Sequence, residues 1–205
     1  MFSLVFNQEP NFVFSVVLVL AAISMLSGVL GAASQYEFRR ILAFHSVSQV
    51  GYMLMGFAVS MLALAAGNRE TATLALAGTI YFMFHHAIVK MNLFLISGIV
   101  LKLRGTTHLK KLGGLFSADA PLSTLFFVTS MALAGIPILS GFWAKLALVK
   151  AGLAAGQYLV IGVSLFVSVL TLFSMVKIWA EAFWKEAPRR RAGSARLRLR
   201  HGGWV

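Results

Sequence analysis

The sequence predicts an all-α fold: a polytopic membrane helix bundle of about five spans with one broken helix. Three observations point there. Of 205 residues 59% are hydrophobic, and mean hydropathy is +0.84, whereas a soluble domain is about 45–50% apolar. Apolar runs over 12–33, 41–65, 73–101, 121–155 and 158–180 each reach the roughly 20 residues that carry a helix across a bilayer. The eighteen bases and six acids gather mainly in the polar segments between these runs and in the C-terminal tail. The net charge of +12 therefore reads as membrane orientation, and no nucleic-acid partner is expected. Zero cysteines exclude disulfides, thiolate metal sites and iron–sulfur ligation.

Residues 1–11 form a lead-in with no basic n-region and no small-residue cleavage site, so no signal peptide is read. The first span, 12–33, carries Ser24, Ser27, Gly28 and Gly31, small residues that let helices approach closely. A short turn with Glu37, Arg39 and Arg40 leads to the second span, 41–65. Its first half is unusually polar. His45, Ser48 or Gln49, and Tyr52 share a face at helical spacing. Such a face suits either a wetted half-channel or bonds to neighbouring helices.

The third span, 73–101, organises the chain. Lys90 sits near its middle with His86 one turn before it. Steps of three and four place Thr79, Met83, His86, Lys90, Leu93 and Ser97 on one face. An ammonium at mid-bilayer costs about 2.5–3.5 kcal/mol even on the cheaper scale, so it faces protein or water, and an ionisable intramembrane group points to function. His85 lies about 100° around the helix from His86, so only His86 shares the Lys90 face. His85 alone reads as a packed, hydrogen-bonded histidine. His108, in the basic connection 102–120, reads as solvated.

Residues 121–155 are too long for one straight helix, at roughly 52 Å against a core of about 30 Å. Gly135, Pro137 and Gly141 in AGIPILSGFWAK mark the hinge. The run is either two short spans or one span broken at 135–141. Charge placement selects the second reading. With five crossings, one side holds Arg39, Arg40, Lys102, Arg104, Lys110, Lys111, Lys177, Lys185 and the tail, while the loops of the other hold Arg69. The positive-inside rule then makes the basic side cytoplasmic. Broken helices at membrane depth line cavities and mark ion sites, and Lys145 sits one turn into the second half.

In the last span, Ser164, Ser168 and Thr171 form a polar seam read as helix packing. Trp179 and Trp184 suit the membrane interface, and Glu181 and Lys185 make an i,i+4 pair. Residues 189–205 are an Arg-rich tail, read as disordered or lipid-surface-binding.

Two intramembrane lysines with nearby histidines suggest a proton relay. Desolvation penalises the charged form of an amine, and histidine changes charge near neutrality. Lys90, Lys145, His86 and His45 are the expected proton-transfer residues, with His85, Ser48 and Gln49 in support. Phosphate-binding loops, Ser/His/Asp order and HExxH are absent, and adjacent histidines on a helix do not converge on one ion. No metal, cofactor or enzymatic reaction is expected.

Four segments carry a resemblance: RRILAFHSVSQVGYMLMGF (39–57), IYFMFHHAIVKMNLFLISG (80–98), LGGLFSADAPLSTLFFVTSMALAGIPILSGFWAK (112–145) and KIWAEAFWKEAP (177–188). Together they resemble the proton-translocating antiporter-like family, which includes complex I membrane subunits and Mrp-type multisubunit sodium/proton antiporters. FHSVSQ with HHAIVKMNLFL is most similar to the Mrp-type branch.

The resemblance implies a fold of about fourteen helices with inverted repeats, of which this chain supplies the second. It matches Lys145 to the central ionisable residue of the broken helix. Lys90 matches the lysine of the preceding helix, His86 the histidine one turn before it, and His45 the histidine of the polar segment in the second span. A histidine four positions before His86 in complex I subunits is Phe82 here. The resemblance further implies a cell-membrane location, H+ and Na+ as the transported ions, and the other antiporter subunits and the bilayer as partners. Full members are more than twice as long, so the chain reads as a C-terminal portion, its tail a frameshifted or mispredicted end. The alternatives are a proton-pumping subunit of complex I or a membrane-bound hydrogenase, and an inactive scaffold.

Overall fold

A computed structural model describes residues 9–186; the basic tail 189–205 lies outside them. Six long helices make the bundle: α1 (Pro10–Ser34), α2 (Phe38–Ala65), α3 (Arg69–Arg104), α4 (Ala120–Ala134), α5 (Ser140–Ala154) and α6 (Tyr158–Ile178). A π-helical stretch, Trp179–Trp184, extends α6. Four of these helices are long and apolar enough to cross a membrane, and α4 is a shorter apolar helix.

Local sequence sets the helix ends. Asn68 accepts from the Thr71 N–H at 3.0 Å at the start of α3, and Glu70 lies in its first turn. Lys102 and Arg104 lie in the last turn, and Gly105 closes the helix in the left-handed region at φ 71°. Acids at the N-terminus, bases at the C-terminus and a glycine stop satisfy free backbone groups and complement the helix dipole. Asp119 caps α4 the same way, accepting from the Leu122 N–H at 3.0 Å.

Helices α1 and α2 pack closely because small residues meet. A Cβ on Gly28 would stand 2.8 Å from Ser48 Cα, so only glycine fits there. Ser48 Oγ then reaches across to the Met25 carbonyl at 3.0 Å.

Helices α4 and α5 run end to end, not as a hairpin. Along α6 the contacts progress steadily in the antiparallel sense. The Phe126 ring stacks 4.7 Å from Phe183, Lys145 reaches Ser168, and Gly152 faces Ile161. Along α3, Ser140 meets His85 and Ala147 meets Gly78. The interruption at 135–139 thus sits partway along one continuous path.

The buried apolar residues form two clusters stacked along the bundle. One holds Leu42, Val89, Leu133 and Met175; the other holds Tyr52, Phe82, Ala144 and Val167. Between those markers lie His45, Ser48 and Gln49 on α2, His85 and His86 on α3, the α4–α5 break, and Ser168, Thr171 and Ser174 on α6. The fold gathers the polar residues of four paths into one layer between two apolar plugs.

Candidate functional site

The break between α4 and α5 creates the first half of the site. A helix end leaves four carbonyls without intrahelical partners. In α4 these belong to Met131, Ala132, Leu133 and Ala134. Gly135 turns left-handed at φ 89°; its N–H donates to Met131 and Ala132, and the Ile136 N–H donates to Met131. Lys145 satisfies the other two. Its Nζ donates to the Leu133 carbonyl at 3.2 Å and the Ala134 carbonyl at 3.0 Å. The third donor goes to Ser168 Oγ at 3.2 Å, and the ammonium lies 5.1 Å from the Tyr52 ring centroid. Lys145 is 8% exposed. Among the described residues, the negative end of the half-helix dipole and the ring face supply the only countercharge it meets, since the acids lie at helix ends or in loops.

Lys90, also buried, donates from Nζ to the Leu42 carbonyl of α2 at 2.6 Å. Two amines without a carboxylate partner therefore lie inside the bundle. The two ion pairs among the described residues, Glu37–Arg40 and Glu181–Lys185, are peripheral.

Three histidines are buried or half-buried in the same layer. His85 Nδ1 is 2.9 Å from Ser140 Oγ at the start of α5. His86 stacks on Phe82 at 6.3 Å, and Phe82 also touches His85 and Tyr52. His45 and Gln49 are fully buried on α2. Among the described residues, both ring nitrogens of His45, both amide atoms of Gln49, His85 Nε2 and His86 Nδ1 have no hydrogen-bond partner. Buried polar atoms are nearly always bonded, so these six stand out from the rest of the bundle. Chemically, the arrangement offers two amines and three imidazoles inside the bundle with no carboxylate among them.

Each sequence-predicted residue has a definite place. Lys90, Lys145, His45, His85, Ser48 and Gln49 are buried, and His86 is half-buried. Ser48 bonds to α1. Gly135 ends α4, exposed Pro137 lies in the break, and Gly141 falls in the first turn of α5.

Two expectations change. Met83 is 50% exposed and Phe82 only 1%, because steps of four drift around a helix of 3.6 residues per turn. Trp179, half-buried, stacks on Phe126 and Phe183 at the edge of the core. Ser168, read as packing, touches Lys145. Sequence reasoning missed the pairing of Tyr52 with Ser168 at 2.9 Å. Its one signal was a tyrosine hydroxyl at mid-span, which must find a partner when buried.

Fold and layer together define a polytopic helical membrane protein with two amines held inside the bundle, one of them at a broken helix. The chain belongs to the NADH:quinone oxidoreductase/Mrp antiporter transmembrane family, whose model matches residues 1–171. It is 46% identical over 185 residues to the D subunit of the Na(+)/H(+) antiporter of Alkalihalophilus pseudofirmus, covering 90% of this chain and 35% of the relative. The corresponding D subunit of Bacillus subtilis is 32% identical over 191 residues, covering 92% of this chain and 36% of the relative. The chain thus spans about a third of these relatives' length. Among solved structures, the Mrp complex from Dietzia sp. aligns with TM-score 0.80 and 38% identity over 91% of this chain and 33% of that one. Respiratory complex I from Thermus thermophilus shares the fold, with TM-score 0.78 at 20% identity, over 89% of this chain and 36% of that one.

Proposed function

We propose that this chain forms part of the D subunit of a multisubunit sodium/proton antiporter and carries protons through its polar layer. Lys145 and Lys90 are the stations, with His86 and His45 assisting and His85, Ser48 and Gln49 supporting. The observation that carries the reading is the Lys145 amine, buried without a carboxylate and bound to the open carbonyl end of a half-helix. Such a group can hold or release a proton without breaking an ion pair. Identities of 46% and 38% to antiporter proteins, against 33% and 27% to quinone oxidoreductase subunits, favour the antiporter reading over the redox-driven one. The protein then lies in the plasma membrane with its basic loops cytoplasmic. Its partners are the other antiporter subunits, and its substrates H+ and Na+.

The test is sodium-dependent proton flux in membrane vesicles containing the chain assembled with the other subunits of a multisubunit antiporter. Lys90→Ala and Lys145→Ala are each expected to lower flux by about a hundredfold, the scale of a lost proton-transfer group. Flux unaffected by both changes rejects the assignment.

A further inference from the structure

We propose that the Ser168 and Tyr52 hydroxyls form a reversible hydrogen-bond rail that gives Lys145 a partner in both protonation states; the proposal rests on the function above. A lysine ammonium has three donors and no acceptor, whereas a neutral amine has two donors and a lone pair. Two of the three partners of Lys145 are the carbonyls of Leu133 and Ala134, which only accept. They serve the two N–H groups common to both states. The third partner, Ser168 Oγ at 3.2 Å, must accept from the ammonium and donate to the amine. A hydroxyl does both.

A hydroxyl that changes role needs a neighbour that changes with it. Tyr52 is that neighbour. It lies 2.9 Å from Ser168 Oγ, it is 2% exposed, and it also bonds the Ser164 carbonyl. With Lys145 charged, donation runs from Lys145 to Ser168, from Ser168 to Tyr52, and from Tyr52 to the Ser164 carbonyl. With Lys145 neutral it reverses: Tyr52 donates to Ser168, and Ser168 donates to the amine. Each reversal rotates two hydroxyl hydrogens, breaks no covalent bond and strands no donor on Lys145. Ser168 is freed for this task. Ser164, Thr171 and Ser174 on the same helix bond to their own preceding turn, at 2.8, 2.8 and 3.0 Å, whereas Ser168 bonds only to Lys145 and Tyr52 among the described residues. Ser168 and Tyr52 are accordingly positioning residues.

The experiment measures sodium-dependent proton flux, across a pH series, in vesicles holding the assembled antiporter. The variants are Ser168→Thr, Ser168→Val, Tyr52→Phe and Lys145→Ala. Thr and Val have the same shape, so their difference isolates the hydroxyl. Ser168→Thr is expected to stay within about twofold of the unaltered protein. Ser168→Val is expected to lose about tenfold and to move its flux–pH profile by about one pH unit, because a bond to the charged form is stronger than one to the neutral form. Tyr52→Phe, which keeps the ring against Lys145, is expected to show the same displacement in smaller degree. Equal flux in Thr and Val, or reduced flux with an unmoved profile, overturns the rail while loss in Lys145→Ala leaves the transport reading standing. Flux unchanged by Lys145→Ala overturns both.

Discussion

The Nζ of Lys145 lies 3.0 Å from the carbonyl of Ala134, the last residue of α4. The break in the span and the amine inside it are therefore one device. The break exposes carbonyls and the lysine occupies them. A helix that ran on would bond those carbonyls internally and leave a buried ammonium unpartnered.

Gly135 closes α4 at φ 89°, and a Cβ there would sit 3.0 Å from Lys145 Cδ. Gly135→Ala is expected to cost about 1–2 kcal/mol from the left-handed backbone alone and to push Lys145 off its carbonyls. Thermal unfolding of the purified assembly should fall by several degrees, with flux lost alongside.

The opposite sign is expected three residues on. Ile138 is the non-glycine residue at positive φ, 83°, and is 92% exposed in the described chain. A β-branched residue is strained there. Ile138→Gly removes a cost of about 1–2 kcal/mol and adds back part of it as unfolded-state entropy. A rise in the unfolding midpoint is expected, and an unchanged or lower midpoint would show the turn unstrained.

Lys177 ties α6 to the end of α1. Its Nζ donates to the carbonyls of Ala33 and Gln35 at 2.9 and 2.8 Å and sits 3.9 Å over the Tyr36 ring. Lys177→Met keeps the stem and removes the charge. The expected loss is about 1–2 kcal/mol of stability, read as a lower unfolding midpoint, with flux per assembled complex retained.

His85 holds α3 to the start of α5 through Ser140 at 2.9 Å. Ser140→Ala is expected to cost about 1 kcal/mol and to change the nitrogen chemical shifts of His85 in labelled protein, since its tautomer loses the bond that fixes it. Unaltered shifts would show that the contact does not set the tautomer.

Much of this was legible in the sequence. Apolar run lengths gave the helices, and the glycines and proline of 135–141 marked where α4 and α5 part. Lys90 and Lys145 stood out because an ammonium within an apolar run is costly unless protein or water receives it. The rest depended on rotation and partners. Met83 and Phe82 are adjacent, and which of them faces inward is a matter of about 100° of helix phase. Ser168 looked like its neighbours Ser164 and Thr171, because a serine in an apolar helix ordinarily bonds back to its own turn. That it does not, and meets Lys145 instead, depends on how α5 packs on α6. Trp179 fitted an interface by type and position; only packing shows the rings of Phe126 and Phe183 against it.

The central claim is that the Lys145 amine gives up and regains a proton during transport. Lys145→Arg tests it most directly. Guanidinium keeps the positive charge and can bond the Leu133 and Ala134 carbonyls, but it does not release a proton in proteins. In vesicles carrying equal amounts of assembled antiporter, the account expects Lys145→Arg to abolish sodium-dependent proton flux as completely as Lys145→Ala. Flux at the unaltered level in Lys145→Arg would show that only a fixed charge is needed there, and would contradict it.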